Sequence, residues 1–292
     1  MLFMYSLIKK GWGGGGQKTV GFLAALLLLI LTPSITSAQV TDRRAELIQQ
    51  IEFLQQEIKR LQLRLQEQQR SLSRLYETEF YDGPLRAAYE IEDGELAIRA
   101  GISSGVDQVL FELLQDIVGE REVDRHFEEF RVFSTFGDQL GFVELKDGTN
   151  DWILGINTAH YDFSVGIERL YRDLFIHEYA HVLSYENSEV VDEFAARFWS
   201  GEDYRHSSRV ESSSEARAIA LREDYFFDNQ DRFVGDYATV NPEEDFAETF
   251  VEYVLSDIVP LGGSVVDQKV RYLDFFDELR QVRKDIRQNL EL

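Results

Sequence analysis

The sequence contains no cysteine and only five histidines among its 292 residues. Without cysteine there is no disulfide and no thiolate metal site, so any metal ion would be held by histidine, aspartate and glutamate. Positive charge is also scarce, because 30 lysines and arginines face 53 aspartates and glutamates, a formal net charge of −23. A chain this acidic repels a phosphate backbone, which argues against a nucleic-acid partner. Hydrophobic residues make up 44% of the chain, which predicts a folded core.

The first 38 residues have the composition of a secretory signal. Lysines precede an apolar run at 20–31, and small residues follow it up to Ala38. The run is short for a membrane-spanning helix, which needs about 20 residues. We therefore expect residues 1–38 to be removed and the protein to be exported, either to the periplasm or out of the cell. The alternative is a retained membrane anchor at 19–37, and only then would the protein have a membrane partner.

Residues 39–78 are predicted to form a coiled coil. Over 43–77, apolar residues recur at alternating steps of four and three, with Gln68 the polar exception. The apolar positions are Leu47, Ile51, Leu54, Ile58, Leu61, Leu65, Leu72 and Leu75. This spacing favours a helix that pairs with a second copy of the chain, giving a homo-oligomer. The alternative is one long amphipathic helix that packs on its own domain.

A single α+β domain is predicted over 79–259. Residues 105–120 have helical spacing, and three short runs rich in aromatic and β-branched residues follow at 130–136, 140–146 and 152–159. Helical patterns come after these strands, which is typical of an α+β fold with a small sheet.

Two further segments complete the domain organisation. The Ser-rich segment 200–217 is predicted to be a polar loop. A break at 260–263 precedes a C-terminal helix, predicted over 264–292 and packed on the domain.

The stretch HEYAH at 177–181 predicts a metal site. On a helix, His177 and His181 lie one turn apart on the same face, so both rings can reach one ion, and zinc suits such nitrogen ligands. Glu178 beside them is placed to take a proton from the water of the metal, whose pKa zinc lowers to about 7. The flanking residues are apolar, and burying two histidines and a glutamate without partners is costly. The alternative is a pair of core histidines satisfied by hydrogen bonds.

A catalytic zinc site needs a third protein ligand and an open position for water. His126, His160 and His206 are isolated candidates, each better explained as an ordinary surface or structural histidine. A better source of the third ligand is the helix predicted over 241–255.

This second helix presents two glutamates one turn apart. Asn241 is a good N-cap and Pro242 a good first residue. Glu244 can then bind the metal, and Glu248 can accept the ring N–H of a ligating histidine. The alternative for Glu244 is a capping box that stabilises only the helix end.

HExxH followed by a helix with Glu-x-x-x-Glu resembles the gluzincin group of metallopeptidases. The sequence EDFAE at 244–248 is similar to the Glu-x-Phe-Ala-Glu helix in the catalytic domain of anthrax lethal factor and its bacterial relatives. The resemblance covers about residues 165–255. It implies one zinc ion per chain, held by His177, His181 and Glu244.

The resemblance also implies roles outside the ligand set. Glu248 would lie in the outer shell of the metal, and Tyr237 would stabilise the transition state or protonate the leaving group. The small sheet would border the active site, with one edge aligning a peptide as an added strand.

The sequence therefore predicts an exported zinc metallopeptidase that acts on a peptide or protein substrate, with Glu178 as general base. The alternative is a non-catalytic coiled-coil scaffold or binding protein with a structural or vestigial zinc site. Hydrolysis of non-protein amides is a third reading.

Overall fold

The structure is a computed structural model. It describes residues 85–135, 139–159 and 167–292, together with Ile51, Leu54 and Ile58. The chain divides into two compact units, Met1–Glu67 and Gln68–Leu292.

In the first unit the structure describes three residues of the predicted coiled coil. Ile51, Leu54 and Ile58 are helical, and their exposed fractions are 47%, 58% and 56%. The predicted signal at 1–38 and the rest of the coiled coil lie outside the described residues.

The second unit contains a five-stranded sheet. Its strands are β1 (Leu85–Glu92), β2 (Glu95–Gly101), β3 (Phe127–Phe133), β4 (Gly141–Leu145) and β5 (Trp152–Asn157). The order across the sheet is β2-β1-β3-β5-β4. β3 and β5 are parallel, and the other neighbouring pairs are antiparallel. β4 therefore forms one edge of the sheet.

Helices occupy most of the remaining described chain. They are α1 (Gly105–Val118), α2 (Glu120–His126), α3 (Ile167–Glu186), α4 (Ser188–Phe198), α5 (Gly201–Glu211), α6 (Glu215–Asp228), α7 (Pro242–Leu255), α8 (Val265–Leu273) and α9 (Asp277–Asn289). A 3-10 turn, Tyr237–Thr239, precedes α7. The predicted α+β fold is confirmed. Within the described part of the chain, no helix has both the length and the hydropathy that crossing a membrane requires.

The first two strands were not predicted. β1 and β2 form a hairpin in which Glu92 pairs with Glu95 across a two-residue turn. Asp93 and Gly94 make that turn with φ values of 51° and 79°. Asp-Gly is the residue pair that such a turn favours, so the hairpin did have a sequence signal.

The prediction of a loop at 200–217 is wrong, because most of this segment is helical. Ser200 caps α5 through a reciprocal capping box with Asp203. Asp203, His206 and Val210 of α5 are buried, so tertiary packing stabilises a helix whose sequence is polar.

The prediction of one helix over 264–292 is also wrong, since α8 ends at Leu273 and α9 begins at Asp277. The interruption allows Leu273 on α8 and Leu279 on α9 both to reach the core, where each is at most 1% exposed.

The core is formed where α3 packs against both α7 and α1. Phe175, Ile176 and Ala180 of α3 are fully buried. Phe246 and Phe250 of α7 are fully buried as well, as the apolar spacing of that helix predicts. This packing places the polar positions of the two helices opposite each other at one end of their contact.

Candidate metal centre

The buried helix α3 carries the HEYAH stretch. His177 and Glu178 are 7% and 5% exposed, although both are polar. The imidazole rings of His177 and His181 lie edge to face with centroids 4.8 Å apart. Their Nε2 atoms are 3.1 Å from each other, so the two rings point at the same place.

The first turn of α7 supplies the third side chain. The Asn241 side chain caps this helix by accepting the backbone N–H of Glu244 at 2.8 Å. The reciprocal bond of a capping box, from the Asn241 backbone N–H to the Glu244 carboxylate, is not formed, and the carboxylate faces the histidines instead. Its Oε2 atom lies 3.1 Å from His177 Nε2 and 3.4 Å from His181 Nε2.

These three side chains fit a metal ion. His177, His181 and Glu244 each present one ligand atom, and the three atoms lie within 4.8 Å of one another. Two neutral imidazole nitrogens that face each other at 3.1 Å require a proton or a cation between them. Two nitrogens and one carboxylate oxygen form a donor set typical of catalytic zinc, with one position left open. That these residues bind metal stays a prediction.

Glu248 lies on the far side of His177. Its Oε1 atom is 3.0 Å from His177 Nδ1, although it lies off the direction of the ring N–H, so hydrogen-bond geometry is not met. The negative charge at this distance favours a proton on Nδ1, which leaves the Nε2 lone pair directed at Glu244 and His181. This arrangement suits an outer-shell carboxylate that selects the tautomer of a metal ligand.

The cluster holds more negative charge than the protein balances. Among the described residues, no lysine or arginine lies within ion-pair distance of Glu178, Glu244 or Glu248. Burial raises the pKa of Glu178, and the nearby His177 and His181 only partly oppose it. Burial also acts to raise the pKa of Glu244, but hydrogen bonds from the two histidines outweigh it and lower that pKa to about 2.

The charge of these carboxylates acts on His177 in turn. Burial alone would lower the pKa of His177, but the contacts with Glu244 and Glu248 overcome it and hold the pKa well above its ordinary value. The ring is therefore in an environment that favours a bound cation, either a proton or a metal ion.

Tyr237 lies over the same centre. Its ring centroid is 5.8 Å from that of His177, and the side chain is 36% exposed. Burial raises the pKa of Tyr237, and the negative charges of Glu244 and Glu178 raise it further. The phenol therefore keeps its proton and can act as a hydrogen-bond donor.

The edge strand β4 begins beside the predicted base. A Cβ atom added to Gly141 would lie 3.1 Å from Glu178 Oε1. The free edge of the sheet and the buried carboxylate are thus neighbours, and Gly141 leaves room for both. Gly141 could not be identified from the sequence, because a single glycine in a strand carries no site signal.

The other described histidines stay outside the cluster. His126 is buried between Glu122 and Glu186, with nitrogen–oxygen distances of 3.4 and 3.5 Å. His206 is buried and stacks on Tyr225 with centroids 4.0 Å apart. Both are structural histidines, and His160 lies outside the described residues.

Comparisons with known proteins add little to this geometry. No protein-family model matches the chain, and no curated protein does. Among solved structures, the chain is similar to a candidate zinc-binding metallo-peptidase from Bacteroides caccae ATCC 43185. The TM-score is 0.36 and the identity 17%, over 62% of this chain and 73% of that one. At this similarity the match carries no functional conclusion, so any function has to follow from the site itself.

Proposed function

We propose that this protein is a zinc-dependent peptidase. The observation that carries the proposal is the convergence of His177, His181 and Glu244 in a buried cluster whose carboxylates lack a lysine or arginine partner among the described residues. Such a cluster is costly to bury unless a cation completes it.

Each side chain of the cluster has a task in peptide hydrolysis. A zinc ion held by the three ligands would polarise the scissile carbonyl and lower the pKa of the attacking water. With zinc bound, Glu178, whose pKa is raised, would accept the proton of the attacking water and pass it to the leaving amine. Tyr237 would donate a hydrogen bond to the negative charge that develops on the carbonyl oxygen.

The position of β4 supports a peptide or protein substrate. Among the described strands, β4 pairs only with β5, so its other edge presents unpaired backbone groups. An extended peptide that pairs with this edge would pass beside Glu178, because Gly141 at the start of β4 lies against that carboxylate.

A structural zinc site is the alternative expected of a non-catalytic scaffold. Structural sites are closed by a fourth protein ligand, whereas catalytic sites keep one position open. The described residues bring three donor side chains together and no fourth, which favours the catalytic reading.

The substitution Glu178→Gln tests this function. The amide cannot accept the proton, so hydrolysis of a peptide library should fall on the order of a thousandfold while the zinc content is unchanged. Glu189→Gln, on the exposed surface of α4, is the matched control. Undiminished hydrolysis by Glu178→Gln would exclude the mechanism.

We also propose that the mature protein is exported and self-associates through 43–77. The exposed helical positions Ile51, Leu54 and Ile58 support pairing with a second copy. Leu54→Asp with Ile58→Asp should convert an oligomer into a monomer in sedimentation experiments.

A mature N-terminus at 39, read by mass spectrometry, would support removal of the signal.

A further inference from the structure

The helix α6 has an unusual relation to the rest of the domain. It contains no buried residue, yet it contacts the 3-10 turn that carries Tyr237. The contact is made by Arg222, whose Cζ atom lies 5.1 Å from the centre of the Tyr237 ring. The centroid of the same ring lies 5.8 Å from that of His177. Tyr237 is therefore close to both a guanidinium group and a predicted metal ligand.

Among the residues that the structure describes, Arg222 forms only a long ion pair with Asp236 and no hydrogen bond through its Nε atom. Its Nε atom is buried and has no hydrogen-bond partner among the described residues. The nearest carboxylate, Asp236 Oδ2, is 3.8 Å from Nε, too far for a hydrogen bond.

Arg232 shows the contrast. Its guanidinium donates to Asp203 Oδ1 at 2.9 Å, to Asp203 Oδ2 at 2.7 Å and to the Phe198 carbonyl at 3.2 Å. Arg232 connects three segments through hydrogen bonds, whereas the Arg222 guanidinium lies against the face of the Tyr237 ring.

The segment beside Tyr237 is fitted closely to the centre. A Cβ atom added to Gly235 would lie 3.5 Å from Glu248 Oε2. Gly235 thus lies beside Glu248, Asp236 beside Arg222, and Tyr237 beside His177. A shift of this segment would move the Tyr237 hydroxyl relative to the metal ligands.

We propose that Arg222 is a positioning residue for Tyr237, which fixes the ring over the metal centre and strengthens its hydroxyl as a hydrogen-bond donor. A guanidinium on the face of a phenol attracts the π electrons and draws electron density from the ring. The surrounding carboxylates oppose negative charge on Tyr237, whereas the Arg222 cation favours the negative charge that develops at the tyrosine hydroxyl. The proposal rests on the peptidase function for its catalytic consequence but not for its structural part.

The structural part is tested without activity. We would place 3-fluorotyrosine at position 237 of the full chain and record its ¹⁹F resonance in the parent, Arg222→Met, Arg222→Lys and Arg217→Met. Arg217 lies on the exposed surface of α6 and serves as the matched control. Arg222→Met should shift and narrow the resonance, Arg222→Lys should restore part of the shift, and Arg217→Met should change nothing. An unchanged resonance in Arg222→Met would overturn the proposal.

The catalytic part is tested by a double-mutant cycle on kcat. A partly buried cation–π contact predicts that Arg222→Met lowers kcat about tenfold with little change in KM. In a Tyr237→Phe background the same substitution should cost less than about twofold, since Arg222 acts through the lost hydroxyl. Zinc content and melting temperature should stay unchanged. A loss of kcat that is as large in the Tyr237→Phe background would overturn the proposal.

The positioning role of Arg222 and the peptidase function can be refuted separately. If the parent binds zinc and hydrolyses no peptide while the ¹⁹F resonance responds to Arg222→Met, the positioning role stands and the peptidase function is refuted.

Discussion

The two sides of helix α7 differ in how their buried carboxylates are paired. On one side, Glu244 and Glu248 face His177, and no lysine or arginine among the described residues pairs with them. On the other side, Asp245 is fully buried and accepts hydrogen bonds from Lys269 Nζ at 2.6 Å and Trp199 Nε1 at 2.7 Å. Neighbouring residues of one helix thus occupy an open and a closed polar cluster.

The difference shows which cluster is complete. A buried charge is tolerated when it is paired and hydrogen-bonded, as Asp245 and Lys269 are. On the histidine–glutamate side the ligand atoms converge on a common point, and among the described residues no lysine or arginine pairs with them. The closed cluster is neutralised by residues of the chain itself, whereas the open cluster has the arrangement that a positively charged ligand would complete.

Lys269→Met should break the closed cluster and have the largest effect on stability. It leaves the carboxylate of Asp245 buried without its cation, which costs about 3–5 kcal/mol of unfolding free energy. Urea denaturation of zinc-free protein would measure this loss, with the exposed Lys284→Met as control. A loss no greater than that of the control would mean that the closed cluster does not hold α7 in place.

Glu248→Gln should change the open cluster without loss of stability. An outer-shell carboxylate on a ligating histidine contributes about 10–100-fold to metal affinity. We expect the zinc Kd, measured by competition with a chromogenic chelator, to rise by that factor. Glu252→Gln, one turn further along α7, should leave it unchanged. Equal affinities for the two variants would refute the outer-shell role.

His206→Gln should have the smallest effect, and it sharpens the contrast between a structural histidine and a metal-binding one. Burial lowers the pKa of His206 from 6.5, so its neutral form is favoured in the folded protein. The unfolded chain therefore binds a proton that the folded one does not as the pH falls below 6.5, and stability decreases there.

Removal of this histidine should flatten that decrease. The slope of the unfolding free energy between pH 6.5 and 5 should become smaller, by at most about 1.4 kcal/mol per pH unit. The comparison is made between the two proteins without zinc, so that the other histidines contribute equally. An unchanged slope would show that His206 is not buried as a neutral ring.

Local sequence was sufficient for the elements that form the centre. HEYAH within an apolar run predicts α3, and Asn241 with Pro242 predicts the start of α7 to the residue. These signals are short-range, because the spacing of two histidines and the cap of a helix are decided within one or two turns. The convergence of Glu244 with the histidines was inferred from residue chemistry and a family resemblance, and the structure brings the three together.

Longer-range features were beyond the sequence. The β1–β2 hairpin has an Asp-Gly turn, but charged and small residues in its strands conceal the alternation of a sheet. The sequence of α5 is polar and predicts a loop. Burial of Asp203 and His206 stabilises the helix, and this burial depends on partners that are distant in the sequence. Arg222 has no local signal, since its contact with Tyr237 arises only when α6 folds back.

The most direct test of the metal centre is the zinc content of purified protein, measured by elemental analysis after zinc is supplied at neutral pH. We expect about one zinc per chain in the wild type and a large loss in Glu244→Ala. Glu243→Ala should keep its zinc, because the Glu243 side chain is exposed next to the ligand position. Zinc retained by Glu244→Ala, or absent from the wild type, would contradict a centre formed by His177, His181 and Glu244.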